Sequence, residues 1–122
     1  MAKIYKNIKG NSTSDHVYTM LSKVVAKVGG RSTDINLTHV LISNTSASVT
    51  LLCDIYIRKV IGNRNQILEH KKYYLLKSVN IPVSASLLPL GDTPFTYSSE
   101  YDLVVQVNGA STMTGDIIVN YE

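Results

Sequence analysis

The sequence predicts an all-β protein, an antiparallel β-sandwich of jelly-roll-like type, and three observations lead to that fold class. Runs rich in β-branched and aromatic residues recur at roughly 8- to 15-residue intervals, with clusters of Gly, Asn, Ser and Pro between them. Eight tyrosines and no tryptophan are present, and tyrosine suits half-buried strand faces. The 122 residues, 44% of them hydrophobic, are enough for one core. We therefore expect a single domain over residues 1–122.

Segment 17–28 is the ambiguous part of this all-β pattern. Its apolar residues recur at helical spacing, Ser14 or Asp15 could cap its start, and Gly29-Gly30 could end it. Its valines and threonine instead favour a strand. We favour the strand because every other element of the chain is predicted to be one, and a short N-terminal helix is the alternative.

Residues 35–43 and 48–59 are predicted to be two strands of a hairpin, joined by the turn cluster NTSAS. In the second run, apolar residues occupy every other position from Val49 to Ile57, which is the period of a half-buried strand. Cys53 lies on that apolar face. It is therefore predicted to be a core residue rather than a nucleophile.

A second hairpin is predicted at IGNRNQ, residues 61–66, because Gly and Asn readily supply the positive φ angles of a hairpin tip. A strand over residues 67–79 follows it. Two further strands, over residues 101–107 and 116–121, are separated by the turn signal Asn-Gly and complete the chain.

The stretch SVNIPVSASLLPLG, residues 78–91, carries no charge and is interrupted by Pro82 and Pro89. Proline has no N–H to donate to a sheet ladder. We therefore predict a short strand over residues 84–88, either at the edge of a sheet or crossing from one sheet to the other.

Charge is divided unevenly along the chain. All 12 Lys and Arg lie at or before Lys77, with four acidic residues among them, whereas five acidic residues and no base follow. Two interpretations stay open: the halves form oppositely charged surfaces for association, or the strands interleave and mix the two signs in the fold.

No motif for catalysis, cofactor binding or metal binding is present, and none of these functions is predicted. The histidines do not lie at ligand spacing from one another or from the cysteine; they are His16, His39 and His70. A carboxylate pair of Asp102 with Asp116 or Glu100 is the one enzymatic arrangement that the sequence leaves open. No secretory signal or membrane-spanning stretch is predicted, so we expect a protein made in a cytoplasm.

Residues 1–14 are predicted to be a flexible basic arm, and basic, aromatic and acidic side chains elsewhere are candidate interface residues. The Lys-Lys-Tyr-Tyr run also resembles the basic-aromatic mixture of single-strand binders, although successive strand residues face opposite sides. The full candidate set is Lys3, Lys6, Lys9, Arg58, Lys59, Arg64, Tyr73, Tyr74, Asp102, Asp116 and Glu122.

From residue 35 to residue 122, the order of motifs is LISNTSAS, VTLLCDIYI, KKYYLLKSV, IPVSASLLPL, YDLVVQV and IIVNYE. This order resembles small β-sandwich virion proteins of tailed bacteriophages, although the N-terminal third departs from their pattern. The resemblance implies a structural component of the virion, as a capsid decoration, neck or tail accessory protein. It also implies contacts with major capsid, neck or tail proteins and with copies of the chain, and no active site.

Two other functions are weighed against that one. The first is a carbohydrate- or receptor-binding module, against which the absence of tryptophan counts. The second is a single-stranded nucleic-acid-binding β-barrel that would use Tyr73 or Tyr74 with the lysines. If the virion interpretation holds, the basic arm and the hairpin tip could meet the acidic C-terminal part of a neighbour, and assembly would weaken with salt.

Overall fold

The computed structural model of the protein describes residues 2–10, 15–22, 34–63 and 66–122. Those residues form nine β-strands and no helix. The strands are β1 (Ala2–Lys9), β2 (Asp15–Leu21), β3 (Asp34–Asn44), β4 (Leu51–Asn63), β5 (Gln66–Ile81), β6 (Ser86–Leu87), β7 (Phe95–Ser98), β8 (Asp102–Asn108) and β9 (Thr114–Tyr121).

The strands form two antiparallel sheets that pack face to face. Sheet A has the order β1-β9-β3-β6, with β7 also paired to β3, and sheet B has the order β2-β8-β4-β5. The chain passes repeatedly between the sheets, and among the described residues β4 and β5 are the only consecutive strands that pair with each other. This order of strands is that of a jelly roll, so the predicted fold class is confirmed.

The core lies between the two inner faces and is built from alternate residues of each strand. On β4 and β8 the inward positions carry aliphatic side chains, as the period of two in the sequence predicts. Cys53 is 0% exposed and belongs to this core, as predicted. The core also contains Ile8, Met20, Leu37, Val40, Ile42, Leu51, Ile55, Ile57, Ile81, Tyr97, Leu103, Val105, Val107, Met113, Ile117 and Val119.

The prediction of a flexible arm is wrong for residues 2–9. These residues form β1, which pairs with β9 over its whole length, from Ala2 opposite Tyr121 to Lys9 opposite Thr114. Ile8 is buried in the core and Ile4 packs against it. These two isoleucines anchor the edge strand, while residues 11–14 lie outside the described residues.

The choice of strand over helix for segment 17–28 agrees with the structure where it is described. Residues Asp15–Leu21 form β2, paired with β8. Pairing with β8 directs His16 and Tyr18 to the side of Val107 and Val105, which are core residues. Residues 23–28 lie outside the described residues.

The predicted hairpin of residues 35–43 and 48–59 is wrong, although both strands exist. β3 pairs with β9, β6 and β7 in sheet A, whereas β4 pairs with β5 and β8 in sheet B. The NTSAS turn therefore carries the chain from one sheet to the other. The second predicted hairpin is confirmed, because β4 and β5 pair from Leu51 opposite Ile81 to Asn63 opposite Gln66.

The uncharged stretch both changes sheet and forms an edge. After β5 in sheet B, the chain crosses to sheet A, where β6 pairs with β3 through Ser86 and Leu87. The strand is shorter than residues 84–88, because Ser84 adopts a positive φ of 62° in a turn. Both parts of the prediction, a crossing and an edge, are found.

The side chain and backbone of Asn44 form hydrogen bonds at the turn where the chain leaves sheet A. Its Nδ2 donates to the carbonyl oxygens of Val49 at 2.7 Å and of Ile81 at 2.9 Å, and its Oδ1 accepts from the Ser46 N–H at 3.0 Å. The Asn44 N–H donates to the Ala85 carbonyl oxygen at 2.9 Å. Asn44 is 2% exposed, so this buried amide joins the end of β3 to segments leading into and out of sheet B.

A bulge bends β5 near its C-terminal end. Lys77 and Ser78 together face Asp54 of β4, and Ser78 adopts a positive φ of 57°. The carboxylate Oδ1 of Asp54 accepts the Ser78 N–H at 2.6 Å. Asp54 therefore stabilises the bulge, and the regular part of β5 lies N-terminal to it.

We expect Asn44→Ala to lower the free energy of unfolding by about 2–4 kcal/mol, because two carbonyls and one N–H lose their partner at a buried position. The matched control is Asn36→Ala, whose amide oxygen accepts an exposed hydrogen bond from Thr96; it should cost less than about 1 kcal/mol. Urea unfolding measures both. Equal midpoints for the two variants would contradict the role given to Asn44.

Ser78→Gly should raise the free energy of unfolding by about 0.5–1 kcal/mol, because glycine adopts positive φ without a Cβ clash. Ser48→Gly is the control: Ser48 is exposed and is not among the residues with positive φ, so glycine there brings no gain. Thermal unfolding compares the two. A lower melting temperature for Ser78→Gly than for the parent would show that φ strain at the bulge is unimportant.

Candidate interaction surface at the edge of sheet B

An apolar pocket of about 410 Å³ opens on the side of the sandwich where β5 faces the short edge strands of sheet A. β4 and β5 supply one part of its lining, and the segment leading into β7 supplies the other. Tyr73 and Tyr74 are 51% and 43% exposed, so much of the aromatic surface meets solvent. The lining residues are Ile57, Tyr73, Tyr74, Leu75, Pro89, Leu90 and Phe95, with no charged side chain among them.

Tyr73 and Tyr74 both line this pocket, although they are neighbours in one strand. Tyr73 lies opposite Ile57 and Tyr74 opposite Tyr56, so the two backbone positions face opposite sides of sheet B. The expected alternation of faces is found, and both rings nevertheless line one pocket. Their strand is the last of sheet B among the described residues, and large rings on either side of an edge strand can reach the same opening.

Lysine side chains lie over the tyrosine rings on this side of the sheet. Lys72 Nζ is 4.8 Å from the centre of the Tyr56 ring, and Lys77 Nζ is 5.0 Å from that of Tyr74. The rings of Tyr56 and Tyr74 are themselves 5.3 Å apart. These are cation–π distances, so the Lys72 ammonium group lies over β4 and the Lys77 ammonium group lies over a ring of β5 itself. Lys72 contacts a ring of the neighbouring strand rather than the tyrosine beside it in sequence.

Two ion pairs join the basic and acidic halves of the sequence next to the pocket. Arg58 Nη2 lies 3.2 Å from Asp102 Oδ2, and Lys59 Nζ lies 3.6 Å from Glu100 Oε2. Lys59 Nζ is also 5.8 Å from the ring centre of Tyr101, whose ring packs edge-on against a pocket tyrosine at 6.0 Å. The interleaving of the two signs, one of the interpretations left open above, is found at these positions.

The structure brings together five of the predicted interface residues and separates the others from them. Arg58, Lys59, Tyr73, Tyr74 and Asp102 lie in β4, β5 and β8, which are neighbours in sheet B. Arg64 lies outside the described residues. The remaining five lie in or next to sheet A: Lys3, Lys6 and Lys9 on β1, Asp116 on β9 beside it, and Glu122, whose backbone pairs with Asn36.

The carboxylates and the histidine that were considered for catalysis or metal binding lie at different places in the fold. Asp102 lies on β8 of sheet B and is paired with Arg58, Asp116 lies on β9 of sheet A, and Glu100 is paired with Lys59. The ring of His16 stacks on Tyr18 with centres 6.2 Å apart. In the described part of the chain, no group of three or more His, Cys, Asp and Glu side chains could hold a metal ion.

Burial raises the pKa of the Cys53 thiol to about 12, and the Asp54 carboxylate adds to the shift. Burial also raises the pKa of Tyr97, with Tyr121 and Asp102 as further causes. Both groups therefore stay neutral inside the folded protein at ordinary pH. A thiol of this kind is a core side chain and not an activated nucleophile.

Comparison of the chain with protein-family models, with curated proteins and with solved structures found no match in any of the three. The described residues also contain no helix that is both long and apolar enough to cross a membrane. The interpretation of the surface therefore rests on its geometry and chemistry.

The sequence identified two tyrosines of this surface but missed the pocket between them and sheet A. Pro89, Leu90 and Phe95 come from the end of the uncharged stretch and the strand that follows it. The signal in the sequence was the run LLPLG, which is unusually apolar for a connection. The residues that face this run across the pocket, Ile57 and Leu75, cannot be identified from the sequence without the order of the strands.

Cys53 should resist thiol reagents at pH 8 in the folded protein and react at once in denaturant, since it is 0% exposed and its pKa is raised. A raised folded pKa leaves stability unaffected below the unfolded value of 9.0 and lowers it as pH rises from there toward about 12. Urea unfolding from pH 8 to pH 11 should show this fall. Cys53→Ala, measured as the control, should lose part of the slope, and an unchanged slope would contradict the assignment.

Proposed function

We propose that the chain is a non-enzymatic structural component of a bacteriophage virion, a capsid decoration, neck or tail accessory protein. In this proposal it acts through contacts with other virion proteins and with copies of itself. It is made in the cytoplasm of the host and works in the assembled particle.

The fold supports the proposal because jelly rolls with two antiparallel sheets are a recurrent frame of viral capsid domains. The motifs that carry the resemblance also have structural roles in this chain. LISNTSAS contains Asn44 and the corner between the sheets, and IPVSASLLPL contains the crossing and β6. A shared order of these motifs is therefore an order of fold-determining contacts, which supports a common architecture.

The observation that carries the proposal is the exposed aromatic surface at the β5 edge. Tyr73 and Tyr74 are about half exposed and stand at the mouth of an apolar pocket. Large aromatic side chains beside a pocket are typical of interfaces, since they bury much apolar area on contact. A component that works by docking onto other proteins needs such a surface.

The direct test is mass spectrometry of purified particles of the phage that encodes the chain, which should contain it in a fixed ratio to the major capsid protein. A chain carrying both Tyr73→Ala and Tyr74→Ala should be incorporated about tenfold less, because interface aromatics commonly contribute more than 1 kcal/mol each. Tyr5→Ala is the matched control, since Tyr5 is 66% exposed on the opposite edge of the sandwich. Particles that lack the chain would overturn the proposal.

A second candidate is a carbohydrate- or receptor-binding module, which the rings of Tyr73, Tyr74 and Phe95 around one pocket favour. Aromatic rings can stack on the apolar faces of sugars, and jelly rolls also include lectin domains. A glycan array separates the two functions. Binding that is lost in Tyr73→Ala would favour the module, whereas no binding leaves the structural role ahead.

A further inference from the structure

Among the described residues, the first half of β5 forms a regular edge of its sheet. No described strand of sheet B lies beyond β5, and the pairing with β4 is one-to-one from Glu69 opposite Ile61 to Tyr74 opposite Tyr56. In an antiparallel strand, alternate N–H and C=O groups point away from the paired neighbour. Six consecutive residues, 69–74, therefore form a regular ladder to which a further strand can be added.

The irregularities of β5 lie outside this ladder. Leu75 is an extra residue between two paired positions, and Ser78 has a positive φ that Asp54 holds in place. Bulges of this kind end regular pairing. Any added strand is thus limited to the part of β5 that lies beside the pocket.

The pocket is positioned to receive side chains of such an added strand. Neighbouring strands in a sheet lie about 4.8 Å apart, and their side chains alternate between the two faces. A strand added to β5 would extend from sheet B toward Pro89, Leu90 and Phe95, which belong to the facing wall. Its core-facing side chains would then enter the pocket, and every second one must be apolar.

The charge of the edge selects the remaining side chains of the added strand. Residues 69–74 include Lys71, Lys72 and one acidic residue, Glu69, and Lys77 follows beyond the bulge at Leu75. Lys71 shares the face of Tyr73 and the pocket, whereas Lys72 lies on the other face, with its Nζ over the Tyr56 ring of β4, and Lys77 Nζ lies over the Tyr74 ring. Acidic side chains on the added strand would neutralise these ammonium groups, whereas basic ones would be repelled.

The same charge argues against a second copy of this chain as the occupant. Antiparallel pairing of residues 69–74 with the same residues of a second copy would place Lys71 of each copy opposite Lys72 of the other. Like charges that lie directly opposite in a sheet are destabilising. The occupant that fits is a segment of a different protein.

We propose that β5 binds an extended segment of another protein, in which apolar and acidic residues alternate, as a fifth strand of sheet B. Its backbone pairs with residues 69–74, its apolar side chains fill the pocket, and its carboxylates lie on the opposite face, which is the face of Lys72, with Lys77 just beyond the ladder. This mode is β-strand addition, in which the backbone provides affinity and the pocket provides specificity. The inference rests on the proposed function only in requiring that the chain works through protein contacts.

The test uses the full chain and a fluorescent synthetic peptide in which glutamate alternates with leucine, with phenylalanine at the central apolar position. Fluorescence anisotropy should show saturable binding that weakens with added salt. Amide hydrogen exchange should slow at residues 69–74 when the peptide is bound. A peptide of the same composition with proline at its centre should bind at least tenfold more weakly, because proline lacks the N–H that a ladder needs.

Matched charge reversals locate the binding surface. The triple variant Lys71→Glu, Lys72→Glu, Lys77→Glu should bind the peptide at least tenfold more weakly. The control is Lys3→Glu, Lys6→Glu, Lys9→Glu, which makes the same charge change on β1 and should bind within twofold of the parent. Urea unfolding confirms that both variants are folded, and Tyr73→Ala provides a variant of the pocket that leaves the charge intact.

Three results would overturn the inference: no binding by the folded parent, equal loss in both triple variants, or equal binding of the proline peptide. None of them bears on whether the chain is found in purified particles. Failure of strand addition is therefore distinguishable from failure of the proposed virion role.

Discussion

The buried amide of Asn44 is the interaction on which the arrangement of the two sheets depends. One side chain donates to the carbonyls of Val49 and Ile81, which lie just before β4 and at the end of β5, while the backbone of Asn44 pairs with Ser84 and Ala85. The chain therefore leaves sheet A and returns to it at the same corner. A buried amide without hydrogen-bond partners costs free energy. The segment before β4 and the end of β5 must therefore both be in place for the Asn44 side chain to be paired.

The open side of the sandwich follows from that corner. The crossing is held at Ala85, and β6 then contributes two residues to the edge of sheet A before Pro89 ends it. β5, on the edge of sheet B, is 16 residues long. Together with the four residues of β7, this edge of sheet A is still much shorter than β5, and the apolar pocket lies between β5 and the start of β7 at Phe95.

The strands were predictable from the sequence because alternation is a local property, as in the run through Cys53. Which sheet a strand joins is not local: nothing in the NTSAS turn states that β3 pairs with β9, at the far end of the chain, rather than with β4. The sequence did not predict β1 for the same reason. Its lysines, Lys3, Lys6 and Lys9, are typical of a solvated arm, and the strand with which it pairs lies at the other end of the chain. The pocket joins Ile57 to Phe95 and needed that topology first.

The fold brings much of the positive charge of the N-terminal part close to the negative charge of the C-terminal part, and the lysines of β5 differ from this pattern. Arg58 and Lys59 are paired with acidic residues of the C-terminal half, whereas Lys72 and Lys77 lie over aromatic rings of β4 and β5. A long open edge invites pairing with other copies, and lysines are a common means of preventing it. A lysine held by a ring still attracts carboxylates. The charges that disfavour pairing between two β5 edges therefore also favour the proposed strand of alternating acidic and apolar residues.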